Sequence, residues 1–184
     1  DNKFVESTCL NNIGILYLYQ SQEKESIYIA RRYFNQAKKI MHQLKSNEEY
    51  QSMINIGVSY LCENSPALAL EYFECAKTIM PSSLSFDMIK LRCNILICRY
   101  LMNRQEVHCI REELLELCSM AEELPDPWIK LLCEYNLYIL RNDNFMATDV
   151  LEKTYPGNVK LYGLILNNPN INSFMLGISP HWRY

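Results

Sequence analysis

The chain has 184 residues, 49% apolar and 21% charged, with five glycines and seven prolines. That balance excludes a disordered chain, and the length suits one domain or one run of stacked repeats. A net charge of −3, from 18 basic and 21 acidic residues, provides no global field for nucleic acid or an anionic membrane.

Apolar residues recur three and four apart to about residue 155, and sustained alternation is missing, so the elements read as helices. In chain order the pattern predicts Lys3–Gln20 and Glu25–Leu44, followed by the polar break Lys45-Ser46-Asn47-Glu48. Glu49–Cys62 and Pro66–Met80 come next, with Ser65 suited to the N-cap and Pro66 to the first helical position. Pro81, lacking an amide donor, stops the fourth helix. Leu84–Met102 and Gln105–Glu123 form a third pair. Asp126-Pro127 opens a fourth, Pro127–Arg141 and Asn144–Thr154, which ends before Pro156 and Gly157. Beyond it, Val159–Leu166 reads as a short helix, Asn167–Asn170 as a loop, and Ile171–Leu176 as a last helical turn or two. The expected organisation is therefore a helical-repeat region over 1–157, then a capping helix and tail over 158–184.

The longest apolar run, Ile13–Tyr19, falls short of the ~18–20 residues that cross a bilayer. Nothing resembles a signal peptide, and the start at Asp1 without Met reads as a fragment of a longer protein. The eight cysteines, Cys9, Cys62, Cys75, Cys93, Cys98, Cys109, Cys118 and Cys133, mostly sit at apolar helix positions. They are expected to be reduced, metal-free thiols of a cytoplasmic protein.

Chemistry-bearing groupings are sparse. Arg31, Arg32, Lys38 and Lys39 cluster on one helix and read as a solvated face. His42, His108 and His181 are far apart, there is no CxxC or HExxH, and Cys93 and Cys98 are five apart, wrong for one helix face. His108 and Cys109, as helix neighbours, should point to different sides. Glu112-Glu113 and Glu122-Glu123 read as solvated faces. No phosphate loop and no GxSxG occur, so neither an enzyme nor a cofactor is expected.

The chain repeats itself. Asn12-Ile13-Gly14-Ile15-Leu16-Tyr17 aligns with Asn55-Ile56-Gly57-Val58-Ser59-Tyr60 at an offset of 43, and Tyr33–Lys38 aligns with Tyr72–Lys77 at 39. The second copy, with Gly57, Tyr60, Ala69, Phe73, Ala76 and Pro81, resembles the tetratricopeptide repeat at all six positions. The first copy shares Gly14, Tyr17, Ala30, Phe34 and Ala37, with an insertion and no terminal Pro. The third pair departs, with Cys93 and Asn94 in place of the small residue; the fourth keeps Trp128, Leu131, Tyr135 and Pro156.

That resemblance implies an all-α fold: about four antiparallel helix pairs stacked in a right-handed superhelix, an α-solenoid with a short helical C-terminal cap. It also implies a concave face, built from the first helix of each pair, that holds a peptide or protein. The corresponding residues are Asn11, Ile15, Leu18 and Tyr19, then Ile54, Asn55, Val58 and Cys62. Ile15, Leu18 and Val58 suit a plain core equally well. Asn11 and Asn55 are the informative pair, because an amide hydrogen-bonds a main chain in both directions. Lys and Arg are missing from the positions where some members of the family clamp a C-terminal carboxylate. Trp182 and Tyr184, beside Arg183, form a second candidate, docked internally or on a partner.

The leading expectation is a protein-interaction module, the sensor or scaffold part of a larger intracellular regulatory protein. It binds protein or peptide, without nucleic acid or membrane, and homo-oligomerisation stays open. A ligand-free oligomerisation or spacer domain is the alternative; an enzyme using His108 or a cysteine is a third.

Overall fold

The computed structural model describes residues 2–83, 85–125, 127–154, 163–165 and 174–177. Among these residues the chain is helical apart from one short ladder. The helices are α1 Asn2–Gln20, α2 Lys24–Gln43, α3 Glu49–Cys62, α4 Pro66–Ile79, α5 Phe86–Leu101, α6 Val107–Glu122, α7 Pro127–Leu140 and α8 Asn144–Thr154. Each end lies within two residues of its expected place. Two strands, β1 Gly163–Ile165 and β2 Met175–Gly177, pair antiparallel with Leu164 opposite Leu176.

The ladder corrects the expected cap, because strand stands at 163–165 and 175–177 where helical turns were expected. Phe174, Met175 and Leu176 are all buried. A run apolar at every position carries no helical period, so its partners decide its conformation. The Trp182 and Tyr184 candidates, His181, Pro156, and Asp126 as a cap lie outside the described residues.

Two compact units divide between Ser83 and Leu84, inside the region expected to be one run over 1–157. One contains α1–α4, the other α5–α8 with β1 and β2. Within the first, Gly14 faces Phe34 and Gly57 faces Phe73 in the same way. A Cβ on either glycine would stand 2.7 Å from the Cδ1 of its phenylalanine, too close for any real contact. Both rings are fully buried, as are Ala30, Ala37, Ala69 and Ala76. Each such ring contributes about 1.5–3 kcal/mol of burial. Phe73 therefore fills its own hairpin rather than the gap to the next. Tyr60 stacks on Tyr72 of its own hairpin at 5.5 Å and meets the neighbouring hairpin through the Arg31 guanidinium, 3.8 Å from its ring.

The turns inside the second, third and fourth hairpins share one construction. Asn64, Asn103 and Asn142 each adopt a left-handed conformation, with φ of 58°, 51° and 57°. Each is followed by an amide that bonds back to the helix, to Tyr60, Arg99 and Tyr138 respectively. That is the Schellman stop, with asparagine where glycine is commonest. Ser65 is not the side-chain cap that its position suggested, whereas Ser85 does cap α5, accepting from the Met88 amide at 3.2 Å.

Candidate functional site

The residues expected to line an open groove are mostly interior. Asn11, Ile54, Asn55 and Val58 have no exposed surface, and Leu18 and Ile15 keep 1% and 5%. Tyr19 and Cys62 are half-buried. Asn55 Nδ2 donates to Asn11 Oδ1 at 3.0 Å, and the Ser52 hydroxyl approaches the same oxygen at 3.4 Å. The two asparagines thus tie α1 to α3 instead of facing solvent, which corrects the expected site in this unit. Burial also raises the Tyr19 phenol above its ordinary range, and its hydroxyl finds no hydrogen-bond partner among the described residues.

The chemistry expected of those amides occurs one unit later. Asn94, on α5, and Asn136, on α7, are both fully buried. Asn136 Oδ1 accepts from the Met175 amide at 2.8 Å, and its Nδ2 donates to the Met175 carbonyl at 2.9 Å. Asn94 Oδ1 accepts from the Gly177 amide at 2.9 Å, and its Nδ2 donates to the Gly177 carbonyl at 2.7 Å. Each side chain pairs with both polar groups of one residue, as a neighbouring strand would. Successive strand residues aim these groups at opposite edges. Met175 and Gly177 therefore share the helix-facing edge, while Leu176 meets Leu164 on the other.

Amides that serve alternate strand residues must sit about 6.6 Å apart, two strand rises of about 3.3 Å. Small residues at the crossing of α5 and α7 suit that spacing: the sulfurs of Cys93 and Cys133 are 3.5 Å apart and buried. At one end of the segment, Phe174 is buried edge-on against Tyr100 at 5.3 Å. At the other, Gly177 lies so close to α5 that a Cβ would stand 2.6 Å from Lys90 Cβ and 3.0 Å from its Cα. Lys90 is itself held, by Asp87 at 3.2 Å and against the Trp128 ring at 5.8 Å.

Other groupings differ from expectation in detail. Arg31 is not on a solvated face: it bonds Ser59 Oγ at 2.8 Å and Glu63 at 2.6 Å, pinning α2 to α3. Arg32 and Lys39 are exposed. His108 and Cys109 do not point apart: Nε2 of the ring lies 3.3 Å from Cys109 Sγ, and Nδ1 lies 3.1 Å from Glu106. The elements of a thiol nucleophile, base and orienting carboxylate are present. The histidine and glutamate side chains nevertheless stand 62% and 80% exposed. Among the described residues no group of three or more His, Cys, Asp or Glu could hold a metal ion, and no helix is long and apolar enough to cross a membrane.

Compared with family models, with curated proteins and with solved structures, the chain has no match in any of the three.

Proposed function

We propose that this chain is a protein-interaction module that holds an extended polypeptide by its main chain, in the cleft between α5 and α7. The observation that carries the proposal is the pair of two-way amide contacts from Asn94 and Asn136 to Met175 and Gly177. An extended segment is already seated there, and four of the bonds that seat it involve no side chain of that segment. Main-chain pairing of this kind is how strand-adding recognition surfaces gain affinity. The segment of another protein can use the same four bonds once the chain's own segment is displaced. The wider likeness to tetratricopeptide repeats, and the stacking of four pairs into one right-handed superhelix, belong to the same proposal. They draw support from the recurrent Gly–Phe packing and the recurrent asparagine turn.

The test uses the full chain carrying Gly177→Val, whose side chain cannot fit against Lys90 and leaves the cleft open. A labelled synthetic peptide of residues 171–180 should then bind saturably, by fluorescence anisotropy. Adding Asn94→Ala and Asn136→Ala should abolish that binding. Equal binding with and without the asparagines would sink the proposal.

Self-association is a second reading, and one observation favours it. Val5, Ile13 and Leu16 on α1 are 57%, 37% and 65% exposed, with exposed Cys9 in the same row. The counterparts of Cys9, Ile13 and Leu16 in the second repeat, Ser52, Ile56 and Ser59, are fully buried. Sedimentation that shows a dimer in the wild type and a monomer in Leu16→Glu would support it.

A further inference from the structure

We infer that the α5–α7 cleft selects its partner by sequence as well as by main chain. The preferred segment carries an aromatic residue three positions before a glycine, and the chain's own Phe174–Gly177 is the resident copy that such a partner displaces. The inference rests on the main-chain clamp proposed above and adds its specificity.

The four amide bonds are blind to sequence, since they touch only main-chain atoms. Discrimination must come from what surrounds the seated side chains. At the aromatic position, Phe174 meets Tyr100 edge-to-face, with an interplanar angle of 72° and 1% of its surface exposed. That arrangement suits the quadrupoles of two rings, so an aliphatic side chain there forfeits a specific contact. At the glycine position the selection is steric. The obstacle is the α5 main chain at Lys90 Cα, 3.0 Å from the site of a Cβ, together with Lys90 Cβ. Neither belongs to the flexible end of a side chain. Lys90 is also braced by Asp87 and Trp128, so any residue larger than glycine must push the segment off the helix and lengthen the Asn94 bonds.

Spacing follows from geometry. Asn136 and Asn94 fix residues two apart in an extended conformation, and Tyr100 takes the residue just before the first of them. An incoming segment therefore has one register only: aromatic, first clamped residue, one residue facing away, then clamped glycine. A register slip of one would turn the clamped edge away from both asparagines.

Variants of the labelled 171–180 peptide, offered to the full-length Gly177→Val chain, test this. Replacing Phe174 or Gly177 of the peptide by Ala should each weaken binding at least ~10-fold, the size of about 1.4 kcal/mol. Replacing Ser173 by Ala should leave it unchanged. Tyr100→Ala in the protein should erase the preference for Phe over Ala and leave the preference for Gly intact, a split that a merely unfolded protein does not produce. The wild-type chain provides a second measurement. Offered unlabelled peptide at millimolar concentration, to compete with its own tethered segment, it should show faster hydrogen exchange at its own Met175 and Gly177, in the same peptide order. Saturable binding of the parent peptide with Phe→Ala and Gly→Ala within 2-fold of it overturns the selection and leaves the clamp. Failure of the parent peptide in both assays overturns the clamp, and the selection with it.

Discussion

In the unit of α1–α4 the buried asparagines turn toward one another; in the unit of α5–α8 they turn toward a strand. Asn55 and Asn94 are 39 residues apart, at matching places in their helices, and both are wholly buried. One donates to Asn11 at 3.0 Å, and the other brackets Gly177 at 2.7 and 2.9 Å. An asparagine inside a helical repeat is thus not in itself a recognition residue. What stands opposite determines whether it works as packing or as a clamp. A second amide gives a cross-helix tie, and an extended main chain gives a two-way pairing like that of a neighbouring strand.

The comparison breaks most visibly if both clamp residues are removed. Asn94→Ala with Asn136→Ala leaves four buried main-chain groups without partners, each costing about 1–3 kcal/mol. The segment should leave the helices rather than stay. Hydrogen exchange at Met175 and Gly177 should rise by orders of magnitude while α1–α4 keep their protection. Slow exchange there in the double variant would mean that packing alone seats β2.

A smaller effect, confined to the first unit, is expected of Gly57→Leu. The branched side chain would drive into the Phe73 ring, and overpacking of this kind costs about 1–3 kcal/mol. Chemical denaturation measures it, and an unchanged midpoint would rule out the tight crossing. Smaller again, Asn55→Ala should cost about 1 kcal/mol, since it removes the closer of two donors to the buried Asn11 oxygen and leaves the Ser52 hydroxyl at 3.4 Å. It should not alter exchange at Met175 or Gly177. If it did, the asparagines of both units would act together and the contrast between them would fail.

The weakest effect is a pH dependence. Burial pushes the Cys62 thiol up to about 12, partly offset by Arg31, and raises Cys98. In the unfolded chain these thiols ionise near 9, so the unfolded state loses protons first as pH rises. The stability they confer is complete below about pH 8 and declines through the window from 9 upward. At pH 9 the loss should be about 0.4 kcal/mol per thiol. A melting midpoint that stays level from pH 7 to pH 10 would contradict it.

The helical framework was legible in the sequence because its signals are local. Prolines at 66, 81 and 127, the break at 45–48 and the Gly57–Phe73 spacing act on the nearest turns. For the proposed site, the sequence pointed to the chemistry and to other residues. An amide pairing with a main chain in both directions was expected of Asn11 and Asn55, and it occurs at Asn94 and Asn136. The repeat spacing carried the correction. Asn64, Asn103 and Asn142 mark one turn every 39 residues, and that step takes Asn55 to Asn94 and, applied twice, Val58 to Asn136. The strand itself was beyond reach. Phe174, Met175 and Leu176 carry no period of either kind, and their extended form comes from partners about 40 and 80 residues away in sequence.

One property of the clamp shapes how it would trade one occupant for another. Its gripping groups are neutral amides, and the Lys90 charge beside them is paired with Asp87 at 3.2 Å. An approaching segment would feel no long-range attraction, and encounter rates should sit near the unassisted ~10⁵–10⁶ M⁻¹s⁻¹. Added salt would change little, because the gripping contacts carry no net charge to screen. Exchange would then be paced by departure of the tethered segment from Asn94 and Asn136, and an abundant rival would wait for a vacancy instead of forcing one.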